Sequence, residues 1–463
     1  MSWAHEELEG LDLGDKRNNE RAKRLLELLG TSPRLSLPQA CRGWAETKGA
    51  YRLLNQSKGT STAETLLAPH AAATLERMRG ESVVLCLNDT TQVDFTSKPD
   101  TEGLGPLTYA EQQGFYLHPL LAVSPARLCL GVLSAEWMVR DWKAHGKSRA
   151  TKKSRPISEK ESNRWLLAFK HVCTLAASLP GTRLVYIADR EGDIYELLQE
   201  AQGAPADMII RSSPDRALKE GGHLHETVVS TPALGTQQVS IPAKPGRSAR
   251  LATLTVYSAR VLLRPPYRSA GPLPPIEVTI VRAREESPPK GQEAIDWILL
   301  TNRIVVDLAA AETVISWYVC RWQIEIYFRI LKTGCAIQNL QLTEFRRLQM
   351  AITFYLIVAW RIQFLITHGR ICPDVPCDTL FSEEEWRVAY ALIKRQPPPK
   401  DPPTLQLMIR MVAGLGGFLM RKGDGDPGPN TLWKGLQCLR DYVFAAETYA
   451  AVTSRKKGGP KGR

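Results

Sequence analysis

RLVYIADREGD, residues Arg183–Asp193, carries a five-residue apolar run, Leu184–Ala188, that passes straight into an acid. SVVLCLNDTTQVDF, residues Ser82–Phe95, repeats the arrangement, with Asp89 just past its apolar run. Short, continuous apolar runs rich in β-branched residues read as strands buried on both faces. The chain therefore predicts two buried strands, each delivering a carboxylate, Asp89 or Asp189, where the backbone leaves the core. Between them, Phe115–Val123 and Leu128–Leu133 read as further strands and Glu161–Leu179 as a helix, an alternation that predicts an α/β or α+β core.

Working outward, strand-like segments at Val239–Ile241, Leu251–Val256, Ile276–Val281 and Trp297–Leu300 alternate with Pro-rich or polar turns. They predict a β-rich insertion at about 208–300. A long helix is expected over Ala309–Thr333, stopped by Gly334, and another over Arg346–His368. Past Pro373 the helices are broken by PPPKDPP and GDGDPGP. At the other end, Lys16–Leu29 carries leucines at helical spacing beside Arg17, Arg21 and Arg24, which predicts a basic helical unit. The expected division is a basic helical unit (1–68), an α/β or α+β unit with its β-rich insertion (69–372) and a helical C-terminal unit with a basic tail (373–463).

Bulk properties narrow the function classes. A chain of 463 residues exceeds one hydrophobic core. Its 43% hydrophobic and 23% charged residues exclude a disordered or collagen-like chain. No apolar stretch, Ala351–Trp360 included, reads as long enough to span a bilayer, and the acidic N-terminus lacks a secretory pattern, so a cytoplasmic protein is expected. Nine cysteines without a CxxC pair read as reduced core thiols, with no zinc site at Cys372 and Cys377. The net charge of +12 points to a polyanion, and basic runs at Lys16–Arg24, Lys143–Arg155 and Arg455–Arg463 favour nucleic acid.

The chemistry concentrates in WYVCRWQIEIYFRILKTG, residues Trp317–Gly334. Tyr318, Arg321, Glu325 and Lys332 fall at offsets that a continuous helix gathers into a sector of roughly 60°. One face then presents a phenol, two cations and a carboxylate. By spacing alone the same pattern also describes an exposed face with an i,i+4 ion pair. Hard cations such as Mg²⁺ take oxygen ligands, so rigidly held carboxylates suit them. Asp94 and Asp193, close to the two strand-end acids, read as supporting groups, and His118, His223 and His225 have no metal-type spacing.

Tyr318, Arg321, Glu325 and Lys332 resemble the Y-x2-R-x3-E-x6-K signature of the IS-four family of bacterial insertion-sequence transposases. NDTT at Asp89 and DREGD at Asp189 are similar to that family's first and second acid motifs. KESNRW (Lys160–Trp165), IDWILLTN (Ile295–Asn302), LGDKRNNERAKRL, KGAYRLL and GGFLMRKGDGDPGPNTLWKGLQ also have counterparts there. The resemblance implies a ribonuclease-H-like catalytic core interrupted by a β-domain and flanked by helical N- and C-terminal domains. It implies a site of Asp89, Asp189 and Glu325 holding two Mg²⁺ ions, with Mn²⁺ able to substitute. Tyr318, Arg321 and Lys332 would bind the transposon end, Trp297 would receive a flipped base, Trp322 would fill the gap, and Arg211 would face DNA. Implied partners are the terminal repeats, target DNA and a second copy of the chain, with no membrane. A catalytically silent, DNA-binding derivative is the alternative.

Overall fold

The computed structural model describes residues 2–56, 62–109, 111–144, 156–241, 249–267 and 271–457. Most of the basic run at Lys143–Arg155, from residue 145, and the tail from residue 458 lie outside the described residues. The chain divides into two compact units, one of Leu75–Gln92 and Gly105–Ile324, the other of Met1–Thr74, Val93–Leu104 and Glu325–Arg463.

The first of these is built on a sheet. Its strands are β1 (Val83–Asn88), β3 (Gly105–Pro106), β4 (Gln113–Val123), β5 (Cys129–Met138), β6 (Arg183–Ala188), β7 (Asp207–Arg211), β8 (Gly235–Ile241), β9 (Arg250–Leu263), β10 (Ile276–Arg284) and β11 (Asp296–Thr301), while β2 (Thr91–Asp94) carries the chain across the unit boundary. The spatial order runs β4-β1-β6-β7-β11-β10-β9-β8, with β5 and β3 also on β4. β5, β4 and β1 are antiparallel neighbours, whereas β1, β6 and β7 run parallel. This five-strand arrangement is ribonuclease-H-like, the fold that the family resemblance implies. The strands expected between 208 and 300 continue the same sheet through the antiparallel β7–β11 pairing.

Burial explains why β1 and β6 read as uninterrupted apolar runs. Val84–Leu87 and Leu184–Ala188 are almost wholly buried, and the helix Asn163–Ser178 lays Trp165, Phe169 and Val172 into the same core as Val84, Cys86, Leu184 and Tyr186. Fully burying one such aliphatic or aromatic side chain contributes about 1.5–3 kcal/mol, more than β-propensity supplies. Asn88, the last residue of β1, is buried but satisfied: it accepts from the Tyr186 hydroxyl at 2.8 Å and donates to the Pro119 carbonyl at 2.9 Å. The strand end that leads to Asp89 is thereby fixed.

The helix expected over Ala309–Thr333 is broken. Leu308–Val319 and Trp322–Arg329 are separate helices, followed by a π-helical turn at Ile330–Gly334. At the break, Cys320 and Arg321 donate to Trp317 and Tyr318, three residues back, and this tighter winding displaces the 100° periodicity. Tyr318 and Glu325 therefore do not share one continuous helical face.

The other unit is helical. Lys16–Thr31 is capped by Asp15, whose carboxylate accepts from Arg17 N, and buries Leu25, Leu26, Leu28 and Leu29. It packs on Phe345–Ile371, a 27-residue helix long and apolar enough to cross a membrane by length and composition, contrary to the shorter stretch read from the sequence. Its most apolar 18-residue window is entirely buried inside the protein, as expected of a helix apolar all round that forms a core. His70 Nδ1 meets buried Glu7 Oε2 at 2.6 Å and its ring packs 4.7 Å from Trp360, fastening the N-terminal segment to that helix.

Candidate metal and nucleic-acid site

Asp89 and Asp189 come from neighbouring parallel strands. The β1–β6 register pairs Leu87 with Ile187, and each acid follows two residues further along its own strand. Both are half-buried. Each carboxylate is held by a nearby backbone N–H: Asp89 Oδ1 accepts from Thr90 N at 2.7 Å, and Asp189 Oδ1 accepts from Glu191 N at 2.9 Å. Short loops leaving a rigid sheet thus aim two hard oxygen donors from adjacent strand ends, the chemistry a divalent cation takes.

Arg321 closes on this pair, its Nη1 lying 2.9 Å from Asp89 Oδ2 with both side chains largely buried. Tyr318 is 5% exposed; burial pushes its phenol up, countered by the Arg321 and Arg211 guanidinium charges, with Asp189 acting in the opposite sense. Trp297, 7% exposed on β11, stands edge-on to Tyr318 at 5.7 Å and to Trp322 at 6.1 Å. Arg211, opposite Leu299 in the β7–β11 register, donates to the Asp296 carbonyl at 3.3 Å. Asp89, Asp189, Tyr318, Arg321, Trp297, Trp322 and Arg211 therefore belong to one unit, and the contacts join Asp89 to Arg321 and Trp297 to its two aromatic neighbours.

Glu325 is exposed on Trp322–Arg329 and is the first residue of the helical unit's long C-terminal segment. Within that unit Lys332 sits in the π-helical turn, where burial pulls its ammonium down while the Asp94 carboxylate raises it. Asp94, read from the sequence as a supporting group, accordingly faces Lys332, and its backbone carbonyl accepts from Gln338 Nε2. Arg17 and Arg24 are exposed on Lys16–Thr31; Arg21 is half-buried and donates to Asn18 Oδ1 at 3.2 Å. Among the described residues, no three His, Cys, Asp or Glu side chains form a group fit for one metal ion.

Two groups around the acids, His118 and Arg164, were not identified as functional in the sequence. His118 on β4 is 2% exposed, its Nδ1 hydrogen-bonds Thr90 Oγ1 at 2.8 Å, and its ring packs edge-on to Trp165 at 4.5 Å. Burial pulls its imidazole down to about 3, helped by the Arg164 charge and opposed by a hydrogen bond to the Asp89 backbone, so it stays neutral. Arg164 donates from Nε to Thr90 Oγ1 at 3.1 Å and from Nη2 to Glu191 Oε2 at 2.9 Å. The available signal was KESNRW, whose arginine opens a helix that packs behind both acid-bearing strands. A histidine without metal-type spacing gave no such signal.

The family model described as "Transposase DNA-binding" matches residues 1–58, "Transposase DDE domain" matches 168–361, and "Transposase Tn5 dimerisation domain" matches 357–457. One solved structure, "Cryo-EM structure of piggyBac transposase synaptic complex with hairpin DNA (SNHP)", is similar at 8% identity and a TM-score of 0.34. It covers 77% of this chain, which spans 66% of that one, a likeness too low to bear on activity. Three matches in the order DNA-binding domain, DDE domain and dimerisation domain place it: the chain belongs to the Tn5-like DDE transposases.

Proposed function

We propose that the protein excises and reinserts a DNA segment by metal-dependent phosphodiester hydrolysis and strand transfer, with Asp89, Asp189 and Glu325 as its catalytic carboxylates. The observation that carries the reading is the pair Asp89 and Asp189 on neighbouring parallel strand ends, each oriented by a backbone N–H. Glu325 joins them by its place in the Y-x2-R-x3-E-x6-K signature.

Two divalent ions, Mg²⁺ or Mn²⁺, would supply activation of the attacking oxygen and stabilisation of the leaving one. The chain's own contribution is positioning. Asp89 and Asp189 present oxygens from a rigid sheet, so little reorganisation is left for the reaction itself. Arg321, now on Asp89, and Lys332 neutralise phosphate charge, and Tyr318 donates a hydrogen bond to the backbone. Trp297, buried here against Tyr318 and Trp322, would have to be uncovered to receive an unstacked base, with Trp322 filling the gap; stacking returns roughly 1–3 kcal/mol per base, on the scale of the cost of flipping it. That pair suits a hairpin intermediate at the DNA end. Arg211 faces the same strand.

The three-part division at about residues 68 and 372 goes with this reading. Arg17, Arg21 and Arg24 belong to the end-binding helix, residues beyond 372 pair two copies on paired ends, and the protein works in the cytoplasm on chromosomal DNA. The test is excision from a supercoiled plasmid bearing the element's own terminal repeats, with Mg²⁺, comparing wild type and Glu325→Ala. Hairpin-ended fragments from wild type and none from the variant support the proposal. End binding with no wild-type cleavage overturns it in favour of a silent, DNA-binding regulator.

A further inference from the structure

The two acid-bearing turns share one side chain. Asp89 accepts from the backbone of Thr90 and Asp189 from the backbone of Glu191, and Arg164 holds the side chains of both Thr90 and Glu191. Its third donor, Nη1, is anchored 2.7 Å from the Glu161 carbonyl just before the helix. The guanidinium is largely buried, 14% exposed, and rests 5.6 Å from the Trp165 ring, which is itself fully buried. His118 grips Thr90 from the β4 side.

We infer that Arg164 is a positioning residue that sets the spacing and orientation of Asp89 and Asp189 for cation binding. The inference rests on the proposed reading of those acids as metal ligands. Three separate donors on one planar group reach three acceptors on different segments, which an ammonium cannot reproduce. The two links differ in strength. Thr90 is clasped in a half-buried setting by Arg164 and His118, whereas Glu191 is 63% exposed and its ion pair is screened by solvent. Thr90 is therefore the arm whose loss matters more. Arg164 also lines a cavity of about 390 Å³ with Gln92, Tyr116 and Arg140, but both arginines are already charge-matched, Arg140 by Glu161 and Arg164 by Glu191. An orienting role fits that neutralised pair better than capture of a phosphate does.

The experiment measures Mn²⁺ binding to the full-length, DNA-free protein by electron paramagnetic resonance. Wild type is compared with Arg164→Met, Arg164→Lys, Thr90→Val, Thr90→Ser and Asp89→Asn. Thermal melting and end-DNA binding in EDTA are recorded for each. Loss of a group that orients a ligand weakens metal affinity by roughly 10–100-fold. The expected result is a weakening of at least about tenfold in both Arg164 variants and in Thr90→Val. Thr90→Ser stays near wild type, and melting and EDTA binding are unchanged. Wild-type Mn²⁺ affinity in Arg164→Met and Thr90→Val, while Asp89→Asn abolishes the signal, overturns the positioning role alone. So does a loss of EDTA end binding in Arg164→Met without a change in Mn²⁺ affinity, which makes Arg164 a DNA contact. A wild-type Mn²⁺ signal that survives Asp89→Asn overturns this inference together with the metal-ligand reading of Asp89.

Discussion

Arg321 Nη1 sits 2.9 Å from Asp89 Oδ2, 232 residues away in sequence, with side chains only 12% and 17% exposed. A guanidinium thus holds the charge position that a cation would take on the same oxygen. On the proposed reading of Asp89 as a metal ligand, Arg321 and the metal would compete for it in the DNA-free protein. Arg321→Met is expected to tighten Mn²⁺ binding by roughly tenfold, corresponding to about 1.4 kcal/mol, while lowering cleavage of end DNA. Electron paramagnetic resonance titration beside a cleavage assay checks the opposed signs; a parallel loss of both would show that Arg321 does not compete.

Asp193 is structural in a way that its place in DREGD does not reveal. Its carboxylate is fully buried and accepts from Arg216 Nε at 3.0 Å, Ser213 N at 2.8 Å and Ser212 Oγ at 3.3 Å, with Arg216 Nη2 also bonded to it. Removing one partner of a buried pair leaves an uncompensated charge, which costs about 3–5 kcal/mol. Asp193→Ala should lower stability by that amount in urea unfolding. A change under about 1 kcal/mol would mean that the loop after Arg211 is held by other contacts.

Glu385 gives a pH-dependent stability of known sign. Burial raises its carboxyl, opposed by the hydrogen bond from Ser382 N and the Arg361 charge. A folded-state pKa above the unfolded value means that stability is full below the unfolded pKa and declines as pH rises through the folded one. Glu385→Gln keeps an acceptor for the helix cap without the charge. The melting temperature of the variant relative to wild type should therefore climb between pH 4 and pH 7, as calorimetry would record; a constant offset refutes the assignment.

End-DNA binding should fall steeply with salt. Arg17 and Arg24 stand exposed on one helix of the segment matched by the DNA-binding family model. Each neutralised phosphate contributes a slope of roughly 0.9 in log K against log salt. Arg17→Ala and Arg24→Ala should each reduce the slope by about one in fluorescence-anisotropy titrations. An unchanged slope would remove that arginine from the interface.

The sequence by itself determined the central strands and the acids that follow them. Five-residue apolar runs that lead to Asp89 and Asp189 admit little besides buried strands, because only an interior strand tolerates such residues on both faces. The spacing of Tyr318, Arg321, Glu325 and Lys332 likewise survives as a signature whatever the helix does. Tertiary structure alone decided the rest. The break at Cys320 and Arg321 arises where the winding tightens to three-residue hydrogen bonds, which 3.6-residue periodicity does not register. The pairing of Arg321 with Asp89, and the grip of Arg164 on Thr90 and Glu191, join residues 27 to 232 positions apart. Such contacts depend on strand register and helix packing, quantities that exist only once the sheet has formed, so no local pattern encodes them.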